Sequence, residues 1–413
     1  MILKAEVIWA GHGNVIRDGG IQVIAGKIAQ IGPFSSIRGG SERIRNVGDT
    51  ILMPALVNAH THLDLSHLEG KLEKGAEFSQ WLKYVARARA FALFEGRSIR
   101  KGISNTTDGG AAAVGDISVS GKSAVFLRKR GLDSSVVFLE AIGPDPAKAV
   151  ERADELRDRI IFLQQKDTVR IGISPHAPYT VSAELFQRCL AIAHEYGLPL
   201  AIHTAETASE VEFLLKGTGK LRALMDTYHL LPPDWKPPGR TPVAFLRHLG
   251  ALERRPLLIH CNVLDDADVE AIARSGCPVA YCPRSNAFFR RTGDSLKLLL
   301  DAGVKVALGT DSFASNESLS MLDEMHFLRQ RYPELDGETI LDMATANAAA
   351  ALGIEHGGAL REGMPADIVA VRPGPGDTLP ARVLAAESSI AFTMSRGRQL
   401  RGRSCRRGTL AET

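Results

Sequence analysis

Within the stretch LVNAHTHLDLSHLEG stand three histidines, His60, His62 and His67, and one aspartate, Asp64. An extended strand turns successive side chains to opposite faces, so His60 and His62 share a side while Thr61 points the other way. Two imidazoles on one side of a strand end can share a metal ion. The same residues also fit a turn carrying two half-exposed histidines, and the rest of the chain has to choose between the two.

Further histidines and acids recur in matching settings. His176 follows an apolar run in IGISPHAPYT, His203 ends one in LPLAIHTAET, His260 ends one in PLLIHCN, and Asp311 follows one in VALGTDS. Three histidines and an aspartate offer neutral nitrogen and anionic oxygen, a donor set that suits zinc or ferrous iron. One divalent ion so held lowers the pKa of a bound water from about 15.7 to about 7, making hydroxide available at neutral pH. Its natural target is an electrophilic carbon. Proton handling needs a group that is not a ligand. Glu206, three residues past His203, fits as a shuttle that protonates a ring nitrogen and later recovers the proton. At a helix start the same carboxylate would also suit the helix dipole. With His60, His62, His203 and Asp311 serving one ion, His260 is expected to hydrogen-bond the attacking oxygen or the developing anion. His176 is the expected substrate contact. The fourth run brings no lysine to bridge a second ion, since Lys166 lies before it, so a single ion is expected.

What positions these residues is a series of apolar runs of strand length, at 51–57, 112–117, 135–141, 169–174, 198–203, 256–260, 278–282 and 304–309. Longer segments of helical period separate them. Helices are expected in SQWLKYVARARAFAL, in AKAVERADELRDRIIFLQ and in SAELFQRCLAIAHEYG with Gly197 as its stop. Another is expected in DDADVEAIARSG, with Asp265 or Asp266 as N-cap and Gly276 as stop. Eight such units predict an α/β fold, a (β/α)8 TIM barrel, whose reactive groups collect at the C-terminal strand ends. The residues singled out above fall at five of those ends, which histidines scattered on helix faces or in a core would not do.

The first fifty residues, and later GMPADIVAVRP and SSIAFTMSRGRQLRG, read as short strands between glycine turns. The two ends are expected to pair into a small β-sandwich domain. The limits that follow are 1–53 and 359–413 for its two parts and 54–358 for the barrel. The stretch LLPPDWKPPGRTPVAFL interrupts the fifth unit and exceeds an ordinary connection. A cover over the barrel mouth presenting Trp235 and a plain surface excursion fit it equally.

Lys and Arg (50) nearly balance Asp and Glu (47), which gives no electrostatic pull toward nucleic acid or membrane. The arginine-rich RGRQLRGRSCRRG lacks the aromatics of a nucleic-acid arm and reads as a last strand followed by a solvated end. No window reaches about 18 uninterrupted apolar residues, and the start lacks the pattern of a secretory leader. The five cysteines show no CxxC pair or framework spacing. A reduced, cytoplasmic protein acting on a small molecule is expected, with neither nucleic acid nor membrane as partner.

The segments NAHTHLD, SPHAPYT, HTAET, IHCN, CPRSNAFF and LGTDSFASNESLSMLDEM, in this order, resemble the amidohydrolase superfamily. Within it the likeness is to the mononuclear metal-dependent branch of deaminases and chlorohydrolases, above all the nucleoside-type deaminases such as those acting on aminodeoxyfutalosine. It extends over essentially the whole chain. The resemblance implies His60, His62, His203 and Asp311 as ligands, Glu206 as proton shuttle, His260 orienting the water and Asp311 accepting its proton. It further implies that His176 and Trp81, the latter in FSQWLKYVARAR, lie near the substrate, and it puts Asn286, as a further substrate contact, and Arg284 at the seventh strand end. The implied activity is hydrolytic release of ammonia from an aminated purine-like nucleoside or other heteroaromatic ring. Displacement of chloride or alkylamine, or opening of a cyclic amide, is the alternative on the same site. A barrel that has lost catalysis is a third, against which the intact ligand set argues. The chain departs from the pattern at Ala112 and Ala113, where many relatives carry paired threonines, and at Asp64, where glutamate is frequent. Both departures bear on the substrate rather than the chemistry. The helical exterior of such a barrel commonly supports dimers, so a homodimer is compatible with this expectation.

Overall fold

The computed structural model describes residues 1–38, 43–90, 95–291 and 295–401. The chain starts with β1 (Ile2–Trp9), β2 (Val15–Ile24) and β3 (Lys27–Pro33), an antiparallel meander, followed by β4 (Ile44–Asn46) and β5 (Ile51–Pro54), both parallel to β1. Eight parallel strands come next: β6 (Leu56–Thr61), β7 (Ala111–Ser118), β8 (Val136–Ala141), β9 (Arg170–Pro175), β10 (Ala201–Thr204), β11 (Leu257–His260), β12 (Val279–Tyr281) and β13 (Val306–Leu308). They form two four-stranded sheets in sequence order, β6 to β9 and β10 to β13. Single bridges, Ile173 with Leu200 and Thr61 with Asp311, join the sheets at their two seams.

The chain then returns through β14 (Ile368–Arg372), β15 (Ser389–Ser395) and β16 (Arg398–Arg401) to complete the terminal sheet, in which β14 lies antiparallel to β5. The two ends therefore pair as expected. They do so in one hydrogen-bonded sheet of eight strands rather than in two facing sheets. The reason is the length of β1, which holds β2 along one edge and both β4, at Ile2 to Lys4, and β5, at Val7 and Ile8, along the other. Period-two alternation gives this sheet two apolar faces. Ile51, Met53, Val369 and Val371 join the main core, whereas Leu52, Ile368 and Ala370 pack with Ile21, Ile28 and Phe392 in a second one.

One expected strand needs correction. The run at 51–57 is two strands, Ile51–Pro54 in the terminal sheet and Leu56–Thr61 in the parallel set, divided at Ala55, whose N–H bonds the Asp367 carbonyl at 3.0 Å. Both sheets ask for a buried apolar strand, so hydrophobicity alone carries no sign of the change. As a result His60 lies inside the first parallel strand and His62 just beyond it, rather than both following it.

The helices between the strands follow their sequence signals. Ala183–Tyr196 begins where the Ser182 side chain accepts from the Leu185 N–H and ends at Gly197, in the left-handed region at φ 63°. Asp266–Ser275 is capped in the same way by Asp265 and stopped by Gly276. Phe78–Ala90 and Ala149–Gln164 match two further expectations, and what lies between 90 and 95 is outside the described residues. Burial of side chains such as Phe186 on these helices contributes about 1.5–3 kcal/mol each. In the proline-rich excursion Trp235 stacks on Phe213 at 4.7 Å and Thr241 caps the helix Pro242–His248. The arginine-rich end supplies β16, and 402–413, with Cys405, lie outside the described residues. The four described cysteines are buried and free, and no described helix is long and apolar enough to cross a membrane.

Candidate metal centre and active site

The seam between β6 and β13 builds half of the site. The His60 carbonyl accepts the backbone N–H groups of Thr310 and Asp311 at 3.0 and 3.1 Å, and the Thr61 hydroxyl donates to the Asp311 carbonyl at 3.0 Å. Gly309 permits that approach: a Cβ there would stand 2.9 Å from the His60 Cβ. Asp311 has φ 56° and His260 φ 74°, a left-handed backbone that non-glycine residues adopt uncommonly.

Around that seam the ring nitrogens converge. His62 Nε2 is 3.3 Å from His203 Nε2, and Asp311 Oδ1 is 3.5 Å from His60 Nε2 and 3.7 Å from His62 Nε2. His60, His62 and His203 form one group whose ligand atoms lie within 4.8 Å of one another, and His60, His260 and Asp311 form a second. All five residues are buried. Asp311 Oδ2 accepts from Ser285 Oγ at 2.8 Å and Ser315 Oγ at 2.6 Å, which turns Oδ1 toward the imidazoles.

Burial sets the electrostatics. It pulls His62 well below the usual imidazole range, with His60 adding to the effect, and it does the same to His203, where His176 adds. His176 and His260 are pushed down to about 3, again mainly by burial. For Asp311 burial alone would raise the carboxyl, but the surrounding imidazoles of His60, His260 and His62 hold it well below the carboxylate range. Neutral imidazoles beside an ionised carboxylate are what a divalent cation requires. His60 Nε2, which faces Asp311, has no hydrogen-bond partner among the described residues, which fits an atom left to a metal.

Glu206 lies just past β10, and its alternative role at the helix start is taken by others. Thr207 caps the helix Ala208–Lys216, and Glu210 reaches back to accept the N–H groups of Ala205 at 3.2 Å and Glu206 at 2.7 Å. Thr207 and Glu210 have the spacing of a capping box, TASE, but Glu210 bonds the N–H groups of the two residues before the cap, and the Glu206 side chain is left to face the cavity. Its Oε1 accepts from Arg291 Nη2 at 2.9 Å, and its Oε2 is 3.9 Å from His260 Nε2.

The cavity at these strand ends measures about 50 Å³ and is lined by His62, His176, His203, Glu206, His260 and Asp311, with Trp81 and Arg89 from the helix Phe78–Ala90. Trp81 Nε1 donates to the Ala314 carbonyl at 2.7 Å, and His176 Nδ1 meets Thr180 Oγ1 at 2.6 Å. Arg89 bonds Glu140 Oε2 at 2.7 Å and comes within 3.2 Å of His62 Nδ1. Asn286 is not among the lining residues; its Nδ2 donates to the Tyr281 hydroxyl at 3.3 Å. Arg284 turns to Glu317, Asp323 and Glu324, and Trp235 lines a separate groove with Tyr179 and Phe245. Asp64 is buried and pushed up to about 6, chiefly by that burial, and His67 bonds the Asp64 carbonyl and Ser98. Glu140 and Arg291 lie in none of the motif segments quoted above; Arg89 ends FSQWLKYVARAR, and Ser285 and Ser315 lie within CPRSNAFF and LGTDSFASNESLSMLDEM, but nothing in those segments marks them individually. Glu210 has the T-x-x-E spacing of TASE.

Eight parallel strands in order, a joint sheet of both chain ends and a histidine–aspartate centre at the strand ends define the class to which the comparisons point. The model of the amidohydrolase family matches residues 51–400, and the chain belongs to that family of hydrolytic enzymes, built on a TIM barrel with a small additional domain. The aminodeoxyfutalosine deaminase of Deinococcus radiodurans is 32% identical over 367 residues, which cover 85% of this chain and 85% of that protein. Among solved structures, an adenosine deaminase from Xanthomonas campestris with bound zinc is 25% identical, covers 96% of this chain and 92% of its own, and has a TM-score of 0.77. The aminofutalosine deaminase of Helicobacter pylori shares the fold at a TM-score of 0.84, with 22% identity and coverage of 96% and 99%.

Proposed function

We propose that this chain is a metal-dependent aminohydrolase that replaces the exocyclic amine of a purine-like nucleoside, or of a related heteroaromatic ring, by oxygen and releases ammonia. The observation that carries it is the convergence of His60, His62, His203 and Asp311 with a cavity-facing Glu206 and His260. The 32% identical deaminase supports the class of substrate. Eight parallel strands with bridges at both seams support a closed (β/α)8 barrel over 54–358.

The four residues would hold one divalent ion. Zinc is favoured over ferrous iron by the nitrogen-rich donor set and by the zinc bound in the Xanthomonas relative. When bound, such an ion supplies a Lewis acid and a water acidic enough to ionise near neutral pH. The chain's own residues then divide the proton work. Asp311, oriented by two serine hydroxyls on Oδ2, is the group placed to take a proton from the attacking water. His260, neutral and buried beside His60 and Asp311, orients that water. Glu206 protonates the ring nitrogen, which draws electrons from the carbon under attack; as the C–N bond breaks, Asp311 passes the proton it took from the water to the departing amine, which leaves as ammonia, and the proton of the new hydroxyl returns to Glu206 as the carbonyl forms. His176 and Trp81 line the space left for the substrate.

The test is an ammonia-release screen of metal-loaded protein over adenine nucleosides, thioether nucleosides, aminodeoxyfutalosine, guanine, cytosine and triazines. Ammonia released one for one with substrate consumed is expected. Chloride from a triazine, or a carboxylate from a cyclic amide, with no ammonia from any amine would overturn the proposal.

A further inference from the structure

The functional proposal gives Glu206 a proton to carry, but a carboxylate on a loop can rotate and present either oxygen. Here it is gripped on both sides. Glu210 accepts the backbone N–H groups of Ala205 and Glu206, which fixes the loop. The side chain is gripped separately: Arg291 Nη2 donates to Oε1 at 2.9 Å, in an ion pair whose partners are 12% and 7% exposed. With Oε1 engaged, Oε2 is the oxygen that faces His260 Nε2, at 3.9 Å.

Arg291 is itself held in one place. Its guanidinium lies over the Phe289 ring at 4.3 Å and within 5.7 Å of Phe78. Phe78 opens the helix that carries Trp81 into the cavity, and Phe289 packs edge-on against both Phe78 and Trp81. The guanidinium thus sits on an aromatic shelf built from two segments of the cavity wall. Its Nη1 is buried with no hydrogen-bond partner among the described residues, a costly arrangement for a side chain whose only task were stability. The segment CPRSNAFF, on which the family likeness rests, stops at Phe289, so Arg291 lies outside it.

We propose, resting on the proton-shuttle role given to Glu206, that Arg291 is its positioning residue: by occupying Oε1 it leaves Oε2 as the single working oxygen, aimed between His260 and the substrate ring. The other charged or titratable groups facing Glu206 are the Glu210 carboxyl on the following helix, the Tyr179 hydroxyl after β9, the His260 imidazole on β11 and the Cys282 thiol after β12. None of them is a permanently charged donor, and Arg291 reaches Oε1 through the single Nη2 contact.

The test uses metal-loaded protein. Arg291→Ala is expected to lower kcat by roughly 10- to 100-fold with KM changed less than about 3-fold and metal content unchanged, because a misaimed shuttle slows proton transfer without weakening binding. Arg291→Lys, which keeps the charge without the planar fork, should fall between the two. Methylguanidinium at millimolar concentration should restore part of the lost kcat in Arg291→Ala and should bind it, by calorimetry, at least 10-fold more tightly than it binds Arg291→Ala/Glu206→Gln. An unchanged kcat, or methylguanidinium binding indifferent to Glu206, overturns the proposal. If Arg291→Ala does not fold, Arg291→Lys carries the same kcat–KM comparison, and a wild-type kcat there is the overturning result. If the wild-type protein releases no ammonia from any amine, the functional proposal falls, while the calorimetric arm still decides the contact between Arg291 and Glu206.

Discussion

His203 gives two hydrogen bonds to one acceptor: its backbone N–H and its ring Nδ1 lie 2.9 and 3.0 Å from the carbonyl oxygen of His176. A carbonyl only accepts, so Nδ1 carries the proton and the lone pair stays on Nε2, facing His62. A residue just past β9 and one in β10 thus fix which nitrogen of His203 is free to bind a cation.

Metal binding is therefore expected to depend on the ligands and on the groups that orient them. His203→Ala should lose bound metal almost entirely. Ser315→Ala, which removes one of two hydroxyls from Asp311 Oδ2, should weaken metal affinity by about 10- to 100-fold. Competition with a chromophoric chelator measures both, and an Asp311 centre indifferent to Ser315 would show affinity equal to wild type.

Glu206 should separate metal binding from turnover. Glu206→Gln keeps the size of the side chain and removes its capacity to carry a proton, so metal content is expected to stay at the wild-type level. The rate of ammonia release should fall by roughly 100- to 10,000-fold. Ammonia release at an undiminished rate in this variant would remove Glu206 from the mechanism.

Chelation should cost stability. The site gathers neutral imidazoles whose nitrogens face one another, and an ion that binds only the folded chain adds about 2.7 kcal/mol when its free concentration is 100 times Kd. A melting temperature that rises with zinc and falls with chelator in wild type, but responds to neither in His60→Ala/His62→Ala, is the expected pattern.

Stability should also fall as pH rises above neutrality, through two buried acids. Burial raises Glu324 from its ordinary 4.5 to about 8 against the opposing pull of Arg284, and raises Glu210 likewise to about 8. A group raised on folding binds its proton more tightly in the folded chain, so its contribution is present below the ordinary value and is lost as pH passes 8. The buried histidines act in the opposite direction but only below about pH 6.5, so the window from 6.5 to 8.5 reads the two glutamates together with Asp116, which burial also raises, and His12, which Asp342 raises. Glu324→Gln should flatten the decline over that window, and denaturant midpoints at three pH values suffice to see it.

Much of this arrangement is legible in the chain. Strand-end placement of His60, His203, His260 and Asp311 follows from apolar runs alone, because parallel strands buried on both faces leave polar side chains room only at their ends. Caps at Ser182 and Asp265 are equally local. What sequence does not show is partnership across distance. Ile51 to Val57 is apolar throughout, so its split between two sheets depends on which strands lie alongside. Asn286 sits at the seventh strand end as expected, yet its amide turns to Tyr281, while its neighbour Ser285 reaches Asp311. One residue of rotation on a short helix decides which of the two meets the site. Arg291 lies beyond CPRSNAFF and Arg89 ends FSQWLKYVARAR with nothing to mark it, and only the folded chain brings them to Glu206 and Glu140.

The place of β5 in the terminal sheet has a further consequence, for synthesis. Its two neighbours are β1, made before it, and β14, made some three hundred residues later. A ribosome-bound chain that has emerged only through β13 carries β5 with one bare hydrogen-bonding edge beside otherwise complete parallel strands. Such an edge is open to pairing with another nascent chain until Ile368 to Val371 arrive to cover it. Assembly of the catalytic half therefore runs ahead of the protection of its own N-terminal sheet, and the last tenth of the chain acts as the closing seal.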